Sequence, residues 1–167
     1  MPEGFENTRG SLPGWLKPAN RLVKVLQRLG VRTGTIHVLS VPGRTSGRMR
    51  STPVSALTVG GTRYLIGGMD DVDWVKNARA AGWGILAYGR SRERVTLVQL
   101  PVQDRGAILR EFPRLVPHGV SFFRRLYDLP RDPAALPDAF ANLATRATVF
   151  RLEPAQEISA LVWPAEP

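Results

Sequence analysis

Between Thr35 and Leu100 the chain is cut into short β-rich runs by glycine-centred turns, and this segmentation limits the fold more than any other feature. TIHVLSV (35–41), MRSTPVSALTV (49–59), TRYLI (62–66), WGILAY (83–88) and RVTLVQL (94–100) carry the branched and aromatic residues of strands. Gly60-Gly61 joins the second and third runs as a tight hairpin, and Gly89-Arg90-Ser91-Arg92 forms a polar turn between the fourth and fifth. A closing strand, TVFRL, is expected over 148–152. Most of these connections are too short for parallel crossovers, which need about a dozen residues. The fold class is therefore α+β, mainly β: an antiparallel sheet closed into a small barrel, with flanking helices. Pro53 cannot donate to a ladder, so its stretch is expected at an edge or a bulge.

The helices follow from apolar spacing and punctuation. From Pro18, Leu22, Val25, Leu26 and Leu29 share one face and Gly30 stops the helix, with Arg21, Lys24 and Arg28 alongside. A second helix is expected over Asp73 to Ala81, opened by Asp73, ended by Gly82, with Trp74, Asn77, Ala78 and Ala81 on one face. A third runs from Asp104 to Leu115, after which Pro117, Pro130, Pro133 and Pro137, with Pro113 near its end, divide the chain into short helices and loops. Residues 1–14 read as a flexible lead-in to one domain spanning 1–167, with no internal repeat and no dividing linker. The first residues lack a secretory signal pattern, no apolar run approaches about 18 residues, and a cytoplasmic protein is expected.

Composition narrows the chemistry. The chain has no cysteine, which excludes disulfides, thiolate nucleophiles and cysteine-based zinc or iron-sulfur sites. With only His37 and His118, and with Asp70, Asp71 and Asp73 beside a helix start that favours carboxylates, no metal site is expected. No G-x-S-x-G elbow is present, and His37 reads as a satisfied histidine in mid-strand. The net charge is +9 and unevenly placed: ten basic and no acidic side chains lie between Asn7 and Met69. Such a segment suits an anionic ligand or surface, or simply a solvated basic face. Zinc spacing, an RNP pattern and a recognition helix are all missing, so nucleic acid is not the expected partner. The basic helix over 18–29 offers peripheral contact with an anionic membrane, or packs on the core with its charges in water.

Pro42 to Pro53, PGRTSGRMRSTP, places two glycines, hydroxyls and three arginines between two strands. Approachable backbone amides, the Thr45 and Ser46 hydroxyls and forked guanidinium donors together suit a phosphate. The stretch is not a nucleotide P-loop, because the glycine spacing differs and a strand follows it. An ordinary hairpin with solvated arginines remains the alternative at this point.

The pattern G-R-x-S-G-x-x-R-x-x-P (Gly43, Arg44, Ser46, Gly47, Arg50, Pro53), followed by W-x-x-N (Trp74, Asn77), resembles the deazaflavin-dependent nitroreductase family. From about Trp15 to Leu152 the chain is similar to actinobacterial members, including DWVKNARAAG and the VFRL strand. The resemblance implies a split β-barrel related to flavin mononucleotide (FMN)-binding barrels, and coenzyme F420, with its anionic phosphate and oligoglutamate tail, as cofactor. It places the phosphate at Arg44, Thr45, Ser46, Gly47 and Arg50, and sets Pro53 beside the deazaflavin. Trp74 and Asn77 would line the same groove, and the backbone of Gly67, Gly68 and Met69 would pass close to the ring. The chain departs from the pattern at Asp70-Asp71-Val72-Asp73, where relatives carry a lysine and an N-P or H-P dipeptide, and at Ser55, where one relative has a tyrosine.

The function so implied is an F420H2-dependent reductase passing a hydride to a small electron-poor enone, quinone or nitro compound. Ser55, Tyr64 and Tyr127 are hydroxyl candidates for protonating the product, and Phe122, Phe123 and Tyr127 for walling a substrate pocket. The alternative is a binding protein on the same barrel that holds the deazaflavin or an apolar ligand without turnover. Barrels of this type often pair as homodimers across a sheet face.

Overall fold

The computed structural model describes residues 34–155. The lead-in over 1–14, the basic helix over 18–29 and the tail beyond 155 lie outside the described residues.

Six strands close into an antiparallel barrel in the order β1-β2-β3-β6-β5-β4. They are β1 (Ile36–Pro42), β2 (Met49–Val59), β3 (Thr62–Gly67), β4 (Trp83–Tyr88), β5 (Ser91–Gln99) and β6 (Thr148–Pro154). The helices are α1 (Asp73–Ala81), α2 (Val102–Leu115), α3 (Val120–Leu126) and α4 (Leu136–Ala141). The β2–β3 hairpin turns on Gly60 and Gly61 at φ 56° and 80°, a backbone that favours glycine. The β4–β5 turn is tighter than the sequence predicts: Ser91 and Arg92 belong to β5 and pair with Tyr88 and Ala87. Helix α2 begins two residues earlier than predicted and ends at Leu115 as predicted, with Pro113 inside its last turn.

Closure leaves the barrel without an edge strand, yet Pro53 occupies a local edge. β2 pairs with β1 from Met49 to Ser55 and with β3 only from Ala56 onward. At Pro53 the strand has a partner on one side alone, which accommodates the missing N–H.

Two apolar cores result. Inside the barrel, Leu39, Val41, Leu65, Leu86, Val95 and Phe150 are shielded from solvent. Outside it, Phe112, Phe123 and Phe140 stack with centroids 4.9–5.3 Å apart, covering Val149 with α2, α3 and α4. β6 runs between both cores, so Thr148, Val149 and Phe150 are buried in succession without alternation. Helix α1 packs on the core inside the barrel through fully buried Val75 and Ala78. The predicted face of α1 is thus rotated: Val75 points down, while Trp74 is half-buried and faces the groove described below. Gly82 ends α1 in the left-handed region at φ 70°, its N–H donating to Ala78 O at 2.9 Å.

Candidate functional site

The β1–β2 loop is a self-braced turn. Gly43 N–H donates to Arg48 O and Gly47 N–H to Gly43 O, both at 2.8 Å. Gly47 takes φ 68°. A Cβ on Gly43 would lie 3.2 Å from both Arg48 O and Ser46 Oγ, so a side chain there would crowd the turn. Ser46 Oγ accepts from Arg48 N–H at 3.3 Å.

Helix α1 anchors this loop. Asn77, 6% exposed, offers Oδ1 to both the Arg44 backbone N–H (3.1 Å) and Arg44 Nη1 (2.9 Å). The structure therefore gives Asn77 the work of positioning Arg44. The same guanidinium donates from Nη2 to Asp73 Oδ1 at 3.0 Å.

Loop and helix enclose a groove of about 510 Å³. Gly43, Arg44, Thr45 and Ser46 form one wall, Arg50, Ser51 and Thr52 of β2 the floor, and Asp73, Trp74 and Asn77 the far side. The volume falls within the range of about 300–1,000 Å³ common to small-molecule sites. Among the described residues, no partner is found for the Thr45 and Ser46 amides, the Thr45 hydroxyl or the Arg50 guanidinium. These outward donors are what an anionic oxygen cluster requires. Trp74 lies 6.0 Å from the Phe150 ring and leaves one face toward the groove.

Gly67, Gly68 and Met69 do not line this groove. A Cβ on Gly67 would stand 2.6 Å from Val75 Cγ2, and one on Gly68 would stand 2.9 Å from Phe122. Their lack of side chains is explained by helices α1 and α3 settling onto the end of β3. Asp70 also turns away, accepting from Arg79 Nη2 at 2.9 Å and from the Thr148 hydroxyl, with Arg105 Nη1 3.9 Å distant. Of the three acids expected near the cofactor, Asp73 lines the groove.

A second cavity of about 330 Å³ continues along β2. Pro53, Val54 and Ser55 lie along one side, with Ile66, Phe112, Phe122 and Phe123 giving it an apolar character. His118, Ser121 and Arg125 add polar groups, and His118 Nε2 is 3.2 Å from Thr35 Oγ1. Of the hydroxyl candidates, Ser55 lines this cavity; Tyr127 instead donates to Gly68 O beneath Arg146, and burial raises its pKa. Tyr64 packs in β3 against the outer core. His118 escapes sequence reasoning because it follows a proline-rich break and comes beside Ser55 only through tertiary packing.

At the start of β1, His37 stacks on Tyr88 with centroids 4.5 Å apart and donates from Nδ1 to Thr35 O at 2.8 Å. Burial lowers its pKa despite that bond. Arg63 grips Glu93 with its two terminal nitrogens, Nη1 and Nη2, which holds the carboxylate below its usual range. Among the described residues no cluster of three metal-ligating side chains occurs, and no helix is long and apolar enough to cross a membrane.

No family model and no curated protein matches the sequence. Solved structures match by shape. One described as a domain-swapped dimer superposes with a TM-score of 0.51 at 15% identity, covering 83% of this chain and 97% of its own. An F420-H2 dependent reductase gives 0.48 at 17% identity, over 71% of this chain and 94% of its own. PhzG from Burkholderia lata 383, bound to tetrahydrophenazine-1-carboxylic acid, gives 0.45 at 19% identity, over 91% and 82%. At these identities the first likeness shows a shared fold, the antiparallel split barrel with flanking helices.

Proposed function

We propose that the chain is a deazaflavin-dependent reductase that holds coenzyme F420 in the groove between the β1–β2 loop and α1. The observation that carries this reading is the convergence of Arg44, Thr45, Ser46 and Arg50 with Trp74 and Asn77, about thirty residues away in sequence, on one cavity. The donor set fits the cofactor's phosphate: two guanidinium groups, two hydroxyls and outward backbone amides. Arg44, fixed by Asn77, and Arg50, projecting from β2, would clamp the phosphate, and Trp74 would cover the adjoining part of the ligand. Pro53, next along β2 from the groove's Thr52, would flank the deazaflavin, and Gly67 and Gly68 let Trp74 and Phe122 pack closely against the end of β3.

When bound, the reduced deazaflavin supplies a hydride. The protein's share is orientation and protonation. The apolar cavity beside Pro53 would hold a small electron-poor acceptor and exclude water through Phe122 and Phe123. Of the protic groups lining it, Ser55 Oγ and the His118 imidazole would deliver the proton that completes a two-electron reduction.

The test is titration of the purified protein with F420, oxidised and reduced, at two salt concentrations. Micromolar or tighter binding that weakens with salt is expected, and Arg44→Ala and Arg50→Ala should each weaken it at least about tenfold with the fold retained. Absence of binding in both redox states, or wild-type affinity in both variants, overturns the assignment. A bound cofactor that no acceptor reoxidises would turn the reading toward a carrier.

A further inference from the structure

Among the described residues, the charged side chains lining the anion groove are Arg44, Arg50 and Asp73, which sum to one formal positive charge. Asp73 is not a distant surface acid. Its Oδ1 sits 3.0 Å from Arg44 Nη2, and its side chain is 82% exposed on the groove wall. Arg44 cannot swing away with it, because Asn77 Oδ1 holds both Nη1 and the backbone N–H of the arginine. Asp70 is occupied elsewhere, by Arg79 and Thr148. A phosphate docked on Arg44 and Arg50 would therefore have the Asp73 carboxylate as its neighbour.

We propose that Asp73 is a specificity-determining residue that makes the groove select a phosphodiester over a terminal phosphomonoester. The inference rests on the phosphate site proposed above and goes beyond it. A diester carries one negative charge and brings the groove to neutrality. A terminal monoester carries about −1.5 to −2 at neutral pH, so part of its charge faces Asp73 without compensation. The groove is open to water, which moderates this repulsion without removing it, since carboxylate and phosphate would share the Arg44 guanidinium. A cofactor linked through its phosphate to a further chain is accepted, and one that ends at its phosphate is discriminated against. Neutral hydrogen bonding alone would not draw this distinction, because both phosphates present similar acceptor oxygens.

The experiment compares two ligands with the same deazariboflavin ring, one ending in a free phosphate and one with that phosphate methylated. Binding is read by ligand fluorescence. For the wild type the methylated ligand should bind about tenfold more tightly. In Asp73→Asn that preference should shrink to about twofold or less, mainly because the free phosphate binds better. Asp73→Glu should retain the wild-type ratio. Asp73→Ser, which keeps a residue suited to a helix start, guards against a folding artefact in Asp73→Asn. A ratio that is unchanged in both neutral variants, or a wild type that binds the two ligands equally, overturns the discrimination while leaving the phosphate site intact. If neither ligand binds and F420 itself is also silent, the site reading fails and the inference falls with it.

Discussion

Replacing Asn77 with alanine should loosen the candidate site from beneath, because one amide oxygen serves two donors of the loop. The backbone bond from Arg44 N–H spans 3.1 Å and the side-chain bond from Nη1 spans 2.9 Å, both ending on a residue that is 6% exposed. A neutral bond contributes about 1 kcal/mol, and a charge-assisted one about 1.5–3. Arg44 is 39% exposed, which places its side-chain bond at the lower end of that range. The loss should total about 2–3 kcal/mol, or roughly 5–10 °C in Tm for a domain of this size. Thermal or urea denaturation of the full chain reads it directly. A double-mutant cycle sharpens the test: with Arg44 already replaced by alanine, Asn77→Ala removes only the backbone bond and should cost about 1 kcal/mol. Strict additivity between the two substitutions, or a Tm within about 1 °C of wild type in Asn77→Ala, refutes the claim that α1 pins the loop.

Other outcomes follow from the same geometry. Gly67→Ala drives a methyl to 2.6 Å from Val75 Cγ2 and should lower stability by about 1–3 kcal/mol in a melting experiment. Arg105, 6% exposed, donates to the carbonyls of Leu100, Ala144 and Ala147, so Arg105→Met should destabilise by about 3 kcal/mol in urea unfolding. Burial depresses the His37 pKa, so the folded state takes up fewer protons than the unfolded chain. Stability should therefore be highest above about pH 6.5 and fall as pH drops through that value towards the folded pKa. His37→Phe, which retains a ring to stack on Tyr88, should flatten the Tm decline between about pH 7 and pH 5. Glu93, also depressed, contributes stability above about pH 4.5 that is lost in stronger acid, and Glu93→Gln should remove that loss in an acid titration of Tm.

Some elements were readable from the sequence to the residue, whereas β1 is shifted by one residue at both ends and β3 runs one residue further than expected. β2, β4 and α1 have the expected limits because their ends are set by local backbone requirements. Ser91 and Arg92 look like turn residues, but their polarity reflects exposed positions on a strand that is paired there with β4. Trp74 dominates the apparent face of α1, yet Val75 is the residue driven inward, because the barrel interior accepts a small branched side chain under Gly67. One wall of the groove was legible because its residues cluster in one short loop. The diverging fates of Asp70 and Asp73 were not, since Arg79 and Thr148 claim the former through contacts that only the folded chain creates. For the same reason His118 could not be joined to Ser55 and Phe122 in advance.

The local edge of β2 has a consequence for how the two cavities communicate. Arg50, Ser51 and Thr52 line the anion groove, and the next three residues, Pro53, Val54 and Ser55, line the apolar cavity. This six-residue stretch is tied to β1 alone, so it can adjust with less resistance than a strand paired on both sides. An anion that immobilised the first half would restrain the second through the shared backbone. If that restraint raised an occupant's affinity for the apolar cavity, linkage would require the occupant to raise the anion's affinity by the same factor. The one-sided stretch of β2 is the physical route along which such a coupling would run.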